Sequence, residues 1–298
     1  MSLTQINFAQ IPAPAVIETL NFETILAGMK ADLLARDATL TASSLESDPI
    51  SKLLEVCAMR ELIVRQRVND GAHAVMLAYA SGSDLDQIGA NYGVARLTIT
   101  PADNTKTPPA PAVMEADTAY RDRIRLSLYS RTTAGPVNQY RFYALSADPD
   151  VLDVSITSPN PGDVVIAVLS RTGSGVPAQP VLDAVMAVCN ADDVRPLTDH
   201  VLVQAATIID YSVAAALTVY PGPDPVTVQA NALQAVTDYC AAHHALGHDI
   251  TRAGLIAAAT VTGVQNVTLT TPAADLVVDD LHASYATAIN VTVSGSAV

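Results

Sequence analysis

The chain has 298 residues, half of them hydrophobic, and 16 basic against 30 acidic side chains give a formal net charge of -14. That length supports two or three domains with their own cores, and the charge sets aside phosphate backbones and anionic lipid as direct partners. Aromatic residues are only 4% and charged residues 15%, which leaves an Ala, Val and Thr surface less polar than a free monomer presents and favours life in an assembly. Cys57, Cys189 and Cys240 lie far apart in apolar helical patterns. They read as buried thiols of a reducing compartment, with no disulfide framework. No basic region precedes an early apolar run, and no stretch of about 18 uncharged apolar residues follows, so neither a signal peptide nor a membrane span is expected.

Residues 1–20, with Pro12 and Pro14 among scattered hydrophobics, read as an extended arm. From Asn21 the pattern turns helical, with Ile25, Met29 and Leu33 at spacings of four and Leu26 and Leu34 widening the stripe. A second helix begins at Asp48 as N-cap with Pro49 at the first helical position. Ile50, Leu53, Cys57, Val64, Val68, Val75 and Tyr79 give it an apolar seam up to Gly82. Such a helix would run about 45 Å, and the first helix is the nearest candidate to cover the seam.

Gly82 is expected to end that helix in a left-handed conformation, and Ser83 with Asp86 forms a capping-box pattern for a short new one. Leu85, Ile88 and Tyr92 then share a face, and Gly93 supplies a second left-handed stop with Val94 closing back on Ile88. The segment Gly82 to Arg96, G-S-D-L-D-x-I-G-x-x-Y-G-V-x-R, resembles the signature of the baseplate J-like proteins of contractile-tailed phages. A second block with the same resemblance runs from Glu115 to Ala144: E-A-D-T-A-Y-R-D-R-I-R, then A-G-P at Ala134 to Pro136, then V-N-Q-Y-R-F-Y-A.

Between the blocks, residues 97–114 carry Pro101, Pro108, Pro109 and Pro111 among Thr and Ala, and read as a linker or a loop without its own core. In the second block Asp117 caps a helix with Tyr120, Ile124 and Leu128 inward, and Gly135-Pro136 turns into a helix holding Tyr140 and Ala144. Arg121, Arg123, Arg125, Arg131 and Arg141 concentrate here. They form either a solvated face or a socket for an acidic patch on a partner or a second copy.

After Asp148-Pro149 the apolar period becomes that of strands. Val151 to Ile156 and Val164 to Leu169 read as strands joined by a turn, followed by a helix from about Pro177 to Val188 and a strand from His200 to Ala205. A second unit repeats the rhythm: a long strand from Ile208 to Tyr220, a helix from Val226 to His244, a short helix capped by Thr251, and strands from Val264 to Thr270 and Tyr285 to Val293. The expected fold is α+β: a helical region over 21–147, then two small mixed α/β modules over 148–206 and 207–298, with a duplicated module as one reading of the rhythm.

Two constellations could carry chemistry. Gly173 to Ala178 fits G-x-G-x-x-A between a strand and a helix. Its strand, however, reads as part of a hairpin and not of a parallel crossover, and three residues separate that strand from the first Gly. Cys240, His243, His244, His248 and Asp249 form the densest ligand-type cluster, although Gly247 breaks the helix face between His244 and His248, and no Glu follows the first His. Histidines at a helix C-terminus also suit its dipole. No nucleophile elbow is present. The readings left open are thus a structural assembly protein, a dinucleotide- or metal-dependent enzyme, and a carbohydrate-binding tail-tip module, which the absence of Trp disfavours.

The resemblance implies a structural, non-enzymatic component of a contractile-tail baseplate wedge, needing no cofactor or metal. It implies self-association within the wedge, and as partners other wedge proteins, among them a small lysozyme-like baseplate subunit and a baseplate protein connecting to tail fibres. The place implied is the virion tail baseplate, reached by assembly in the host cytoplasm. The interface or architectural candidates, read from the residues themselves, are Gly82, Leu85, Ile88 and Gly93 of the short helix and Arg121, Arg123, Arg125, Arg131 and Arg141.

Overall fold

A computed structural model describes residues 11–12, 14–40 and 48–298. Its contacts divide into two compact units, one of Met1–Arg96 with Ala116–Arg121 and one of Leu97–Glu115 with Asp122–Val298. The expected arm over 1–20 falls outside the described residues at 1–10 and 13. Its remainder turns at 14–17, where the Ile17 N–H donates to the Pro14 carbonyl (3.0 Å), and Glu18 then exchanges two hydrogen bonds with the buried Asn69 side chain: its N–H donates to Oδ1 (3.1 Å) and its carbonyl accepts from Nδ2 (2.9 Å).

In the first unit, α1 (Phe22–Arg36) is capped by Asn21, whose side chain accepts from the Thr24 N–H, and α2 (Pro49–Ala74) by Asp48, which accepts from Ile50. They pack through Ile25, Leu26 and Ala58, with Phe22, Met29, Leu54 and Leu62 at the margin. The apolar seam expected on α2 is not the one α1 covers. Leu53, Cys57, Val64, Val68 and Val75 are all exposed, because α1 uses the neighbouring row of small and aliphatic residues. The helix also stops at Ala74, short of Gly82. Residues 75–80 leave the helical ladder for turns, and the carbonyls of Leu77 and Ala80 accept from the Arg121 guanidinium instead. α3 (Gly82–Asn91) follows.

In the second unit, residues 97–114 are not a linker. β1 (Thr98–Thr100) pairs antiparallel with β2 (Val113–Met114), and an Asp103–Ala110 bridge extends the ribbon. Strands this short give no readable alternation. α4 (Asp117–Leu126) continues into a 3-10 turn over Ser127–Arg131. Its tighter winding carries Leu128 off the helical stripe into solvent, so that Leu126 is buried where Leu128 was expected.

α5 (Val137–Ala147) and α6 (Gln179–Cys189) pack on a sheet of β3 (Val151–Thr157), β4 (Asp163–Ser170) and β5 (His200–Ala205) through Tyr140, Ala144, Val181, Val185 and Cys189. The next sheet has order β7-β6-β8, from β6 (Thr207–Val219), β7 (Val264–Thr271) and β8 (His282–Ser296). It is covered by α7 (Pro225–Ala242) and α8 (Arg252–Ala259), with Val228, Ala232, Val236, Cys240 and Leu255 in the core. Each central strand, β4 and β6, has one antiparallel and one parallel neighbour. The order of connection differs, however. In the first module the antiparallel partner β3 precedes the central strand, and in the second the central strand comes first. The shared rhythm is therefore not a simple duplication.

Candidate functional site

The two segments singled out by sequence meet in the first unit, where α3 is held by the start of α4. Arg96 donates from Nε to Asp86 Oδ1 (2.7 Å), from Nη1 to Asp117 Oδ1 (2.7 Å) and from Nη2 to the Gly82 carbonyl (3.2 Å). Its guanidinium lies 4.6 Å from the centre of the Tyr120 ring, as a cation–π pair does. The other Asp117 oxygen accepts from the Gly82 N–H (3.1 Å). The Ser83–Asp86 capping box is therefore not how α3 begins. Its N-cap is Ser81, without a side-chain cap bond, and Asp117 supplies the missing acceptor from another helix while Asp86 turns to Arg96. The Gly82 N–H above all, with help from Arg96, holds the Asp117 carboxyl below the usual carboxylate range despite an upward push from burial.

α3 ends in a Schellman pattern: Gly93 has φ +73°, its N–H donates to the Ala90 carbonyl, and the Val94 N–H donates to the Gly89 carbonyl. Leu85 is fully buried and Ile88 half-buried, while Tyr92, expected on the same face, is exposed. The third inward position belongs to Gly89. A Cβ there would stand 1.9 Å from Tyr120 Oη and 2.8 Å from the Val94 carbonyl oxygen, and that same hydroxyl donates to that same carbonyl (2.7 Å). At Gly82 and Gly93 no atom lies within 4 Å of such a Cβ, so only the left-handed backbone asks for glycine there. The periodic face read from sequence is Leu85, Ile88 and Tyr92, without Gly89.

The five arginines have different partners. Arg121 donates to the carbonyls of Leu77 and Ala80 (2.7 Å each) in the first unit. In the second unit, Arg123 and Glu115 are a buried bidentate pair (2.8 and 2.6 Å); Arg123 also reaches Ser146 Oγ, and Glu115 Oε2 accepts from the Leu97 N–H at the foot of the β1–β2 ribbon. Arg141 pairs with Asp153 (2.7 Å) and Arg125 with Asp122 (3.6 Å), while Arg131 is exposed. Neighbours in sequence here have separate partners.

Among the described residues, the outer face of α2 carries several exposed hydrophobics close together. Leu53, Val56, Met59, Ile63, Val64 and Val68 are each about half exposed or more on one helix, whereas lone exposed hydrophobics are ordinary on soluble surfaces.

The possible cofactor and metal residues lie in the second unit. β4, α6 and β5 do form a parallel crossover, contrary to the hairpin-only reading. The glycine loop before α6 is nevertheless closed on itself: the Gly175 N–H donates to Thr172, and the Gly175 carbonyl accepts from Ser170. Among the histidines, His243 stacks on Tyr239, and His244 Nδ1 lies 2.6 Å from the Ser284 carbonyl. Asp249 accepts from the Val278 N–H, and Cys240 is buried. Among the described residues no three His, Cys, Asp or Glu side chains are placed to hold a metal ion.

Known proteins align with the chain along its length. The family model of the Baseplate J-like N-terminal domain matches residues 46–103, that of the central domain 132–205, and that of the C-terminal domain 211–292. The chain is 48% identical over 297 residues to Baseplate protein J of Escherichia phage P2, covering 98% of each. A chain in the cryo-EM structure of the anti-feeding prophage baseplate, 6-fold symmetrised, is similar at 16% identity with a TM-score of 0.42; the match covers 61% of this chain and 44% of that one.

Proposed function

The chain belongs to the baseplate J-like family, and on that premise we propose that the outer face of α2 is the surface by which it is built into a baseplate wedge. The protein is a structural component of a contractile phage tail device and acts by protein–protein assembly. The observation that carries the α2 reading is the exposed row Leu53, Val56, Met59, Ile63, Val64 and Val68 on a helix of 26 residues. The occupant we assign is the same face of a second copy. On a chain of net charge -14 most surfaces repel their own kind. α2 is close to neutral, with Lys52, Arg60, Arg65 and Arg67 against Glu55, Glu61 and Asp70.

Beyond this pair, the partners in this proposal are other wedge proteins: a small lysozyme-like subunit and a fibre-connecting baseplate protein, with Arg131 as a contact of the second unit. Gly82, Leu85, Ile88 and Gly93 serve as architecture. The four stretches 1–20, 21–147, 148–206 and 207–298 serve as working domains, and assembly takes place in the host cytoplasm before the baseplate is complete. Sedimentation of the purified chain and of the double variant Leu53→Glu, Val64→Glu tests the α2 assignment. The expected result is a concentration-dependent dimer for the wild type and a monomer with unchanged circular dichroism for the variant. A variant that still dimerises would remove α2 from the interface.

A further inference from the structure

Two constellations left without a chemical role, the glycine loop before α6 and His244 after α7, come together between the two α/β modules. A Cβ on Gly175, whose φ is +102°, would stand 2.5 Å from Leu169 Cδ1 and 3.0 Å from His244 Nε2. Only glycine lets the β4–α6 loop lie this close to the end of α7. His244 is in turn fixed by the Ser284 carbonyl at Nδ1 and by the edge of the Tyr285 ring.

Three further features close the same seam. β5 and β6 are separated by Ala206 alone, which is buried; its N–H donates to the Val168 carbonyl in the first sheet, and the next N–H, of Thr207, donates to the Leu281 carbonyl beside the second. The extended chain therefore changes sheets with no slack. Ala167 and Leu169 of β4 share a core with Ala206, Leu246 and Ala283, flanked by Leu152, Ile208 and Leu281. Asp153 on β3 spends one carboxylate oxygen on Arg141 of α5 (2.7 Å) and the other on the Leu246 N–H beyond α7 (3.1 Å). A hinge needs a segment whose backbone can rotate while its neighbours stay put. Every candidate segment here is tied on both sides by hydrogen bonds or by side chains in a common core.

We propose that the two α/β modules are one rigid lever, with Asp153 and Gly175 as the positioning residues that set the angle between them. A load applied to either module is then carried through the other without loss, and any rearrangement of an assembly containing this chain takes place outside the span from β3 to β8. The inference does not rest on the α2 interface and is tested on the free chain.

The test is the distance distribution between spin labels at Ala187→Cys on α6 and Gln234→Cys on α7, both exposed positions, in full-length protein carrying Cys57→Ser. Cys189 and Cys240 are buried. A single narrow distribution is expected, with broadening in the folded variants Asp153→Ala and Gly175→Val. A broad or double distribution in the parent overturns the rigid lever. A narrow one that stays narrow in a folded variant overturns the assignment of that residue. Should Gly175→Val not fold, the parent and the milder Asp153→Asn decide between the same outcomes.

Discussion

Gly89 on α3 faces the hydroxyl of Tyr120 on α4 so closely that the two residues occupy what would ordinarily be one side chain's volume, and Tyr120 uses the same hydroxyl to reach the Val94 carbonyl. The closing turn of α3 and the opening turn of α4 are thus seated on each other by one glycine and one tyrosine. Gly89→Ala should destabilise the protein by about 1–3 kcal/mol or more, as overpacking does. Tyr120→Phe, which loses one buried hydrogen bond and leaves the carbonyl unpaired, should cost about 1–3 kcal/mol. Urea midpoints of both variants check this. A Gly89→Ala midpoint equal to wild type would show that the helices do not approach as described.

Asp117 ties acid stability to the same joint. Its folded-state carboxyl is held below the usual range by the Gly82 N–H and then by Arg96. Its contribution is therefore present above the unfolded value of about 4 and is lost as pH falls through the lower folded value. The gap in midpoint between wild type and Asp117→Asn should be widest near neutral pH and should close as the pH falls through the lowered folded-state value. A gap independent of pH would refute the linkage.

The buried Glu115–Arg123 pair gives a prediction whose sign depends on the number of partners removed. Glu115→Ala leaves a buried guanidinium without its carboxylate and should cost about 3–5 kcal/mol. Glu115→Leu combined with Arg123→Met should cost less than either single truncation, because no charge is then stranded. A double-mutant cycle on the full chain measures the coupling.

Cysteine reactivity should sort by burial. Burial pushes the Cys189 thiol up to about 12 and raises Cys240 as well, while Cys57 is exposed on α2. In native protein at neutral pH a maleimide should modify Cys57 alone, because the thiolate is the reacting form; mass spectrometry reads the stoichiometry. Protection of Cys57 at concentrations where the chain dimerises would place the second copy on that face.

The arginines divide in the same experimental way. Arg121→Glu should destabilise the fold, since two carbonyls lose their donor and meet a carboxylate. Arg131→Glu should leave thermal unfolding unchanged and alter only mixing with wedge proteins. Equal thermal loss in both would show that Arg131 also has an internal role.

Elements announced by local chemistry were legible in the sequence. Asp48 with Pro49 starts α2, Thr251 caps α8, and His200 to Ala205 is a strand at the expected bounds. The relationships invisible in it are those set by a distant partner. Gly89 is glycine because of Tyr120, and Gly82 needs no local cap because Asp117 provides one. Periodicity found the apolar row on α2, but a row records that burial is favourable and not what supplies it; α1 took the adjacent row. Arg121 to Arg141 looked like a patch because sequence shows nearness along the chain, whereas long, flexible arginine side chains reach to whichever acceptors the fold presents.

The parallel pairing of β6 with β8 also bears on synthesis. Thr207 to Val219 finds its parallel partner only at His282 to Ser296. On the ribosome, one edge of β6 stays uncovered while the intervening helices and β7 are made. That is the kind of open strand edge on which nascent chains join one another. The riskiest interval of this protein's life thus comes before its fold is complete, and slowing translation after residue 219 should prolong that interval and raise the share of insoluble chain.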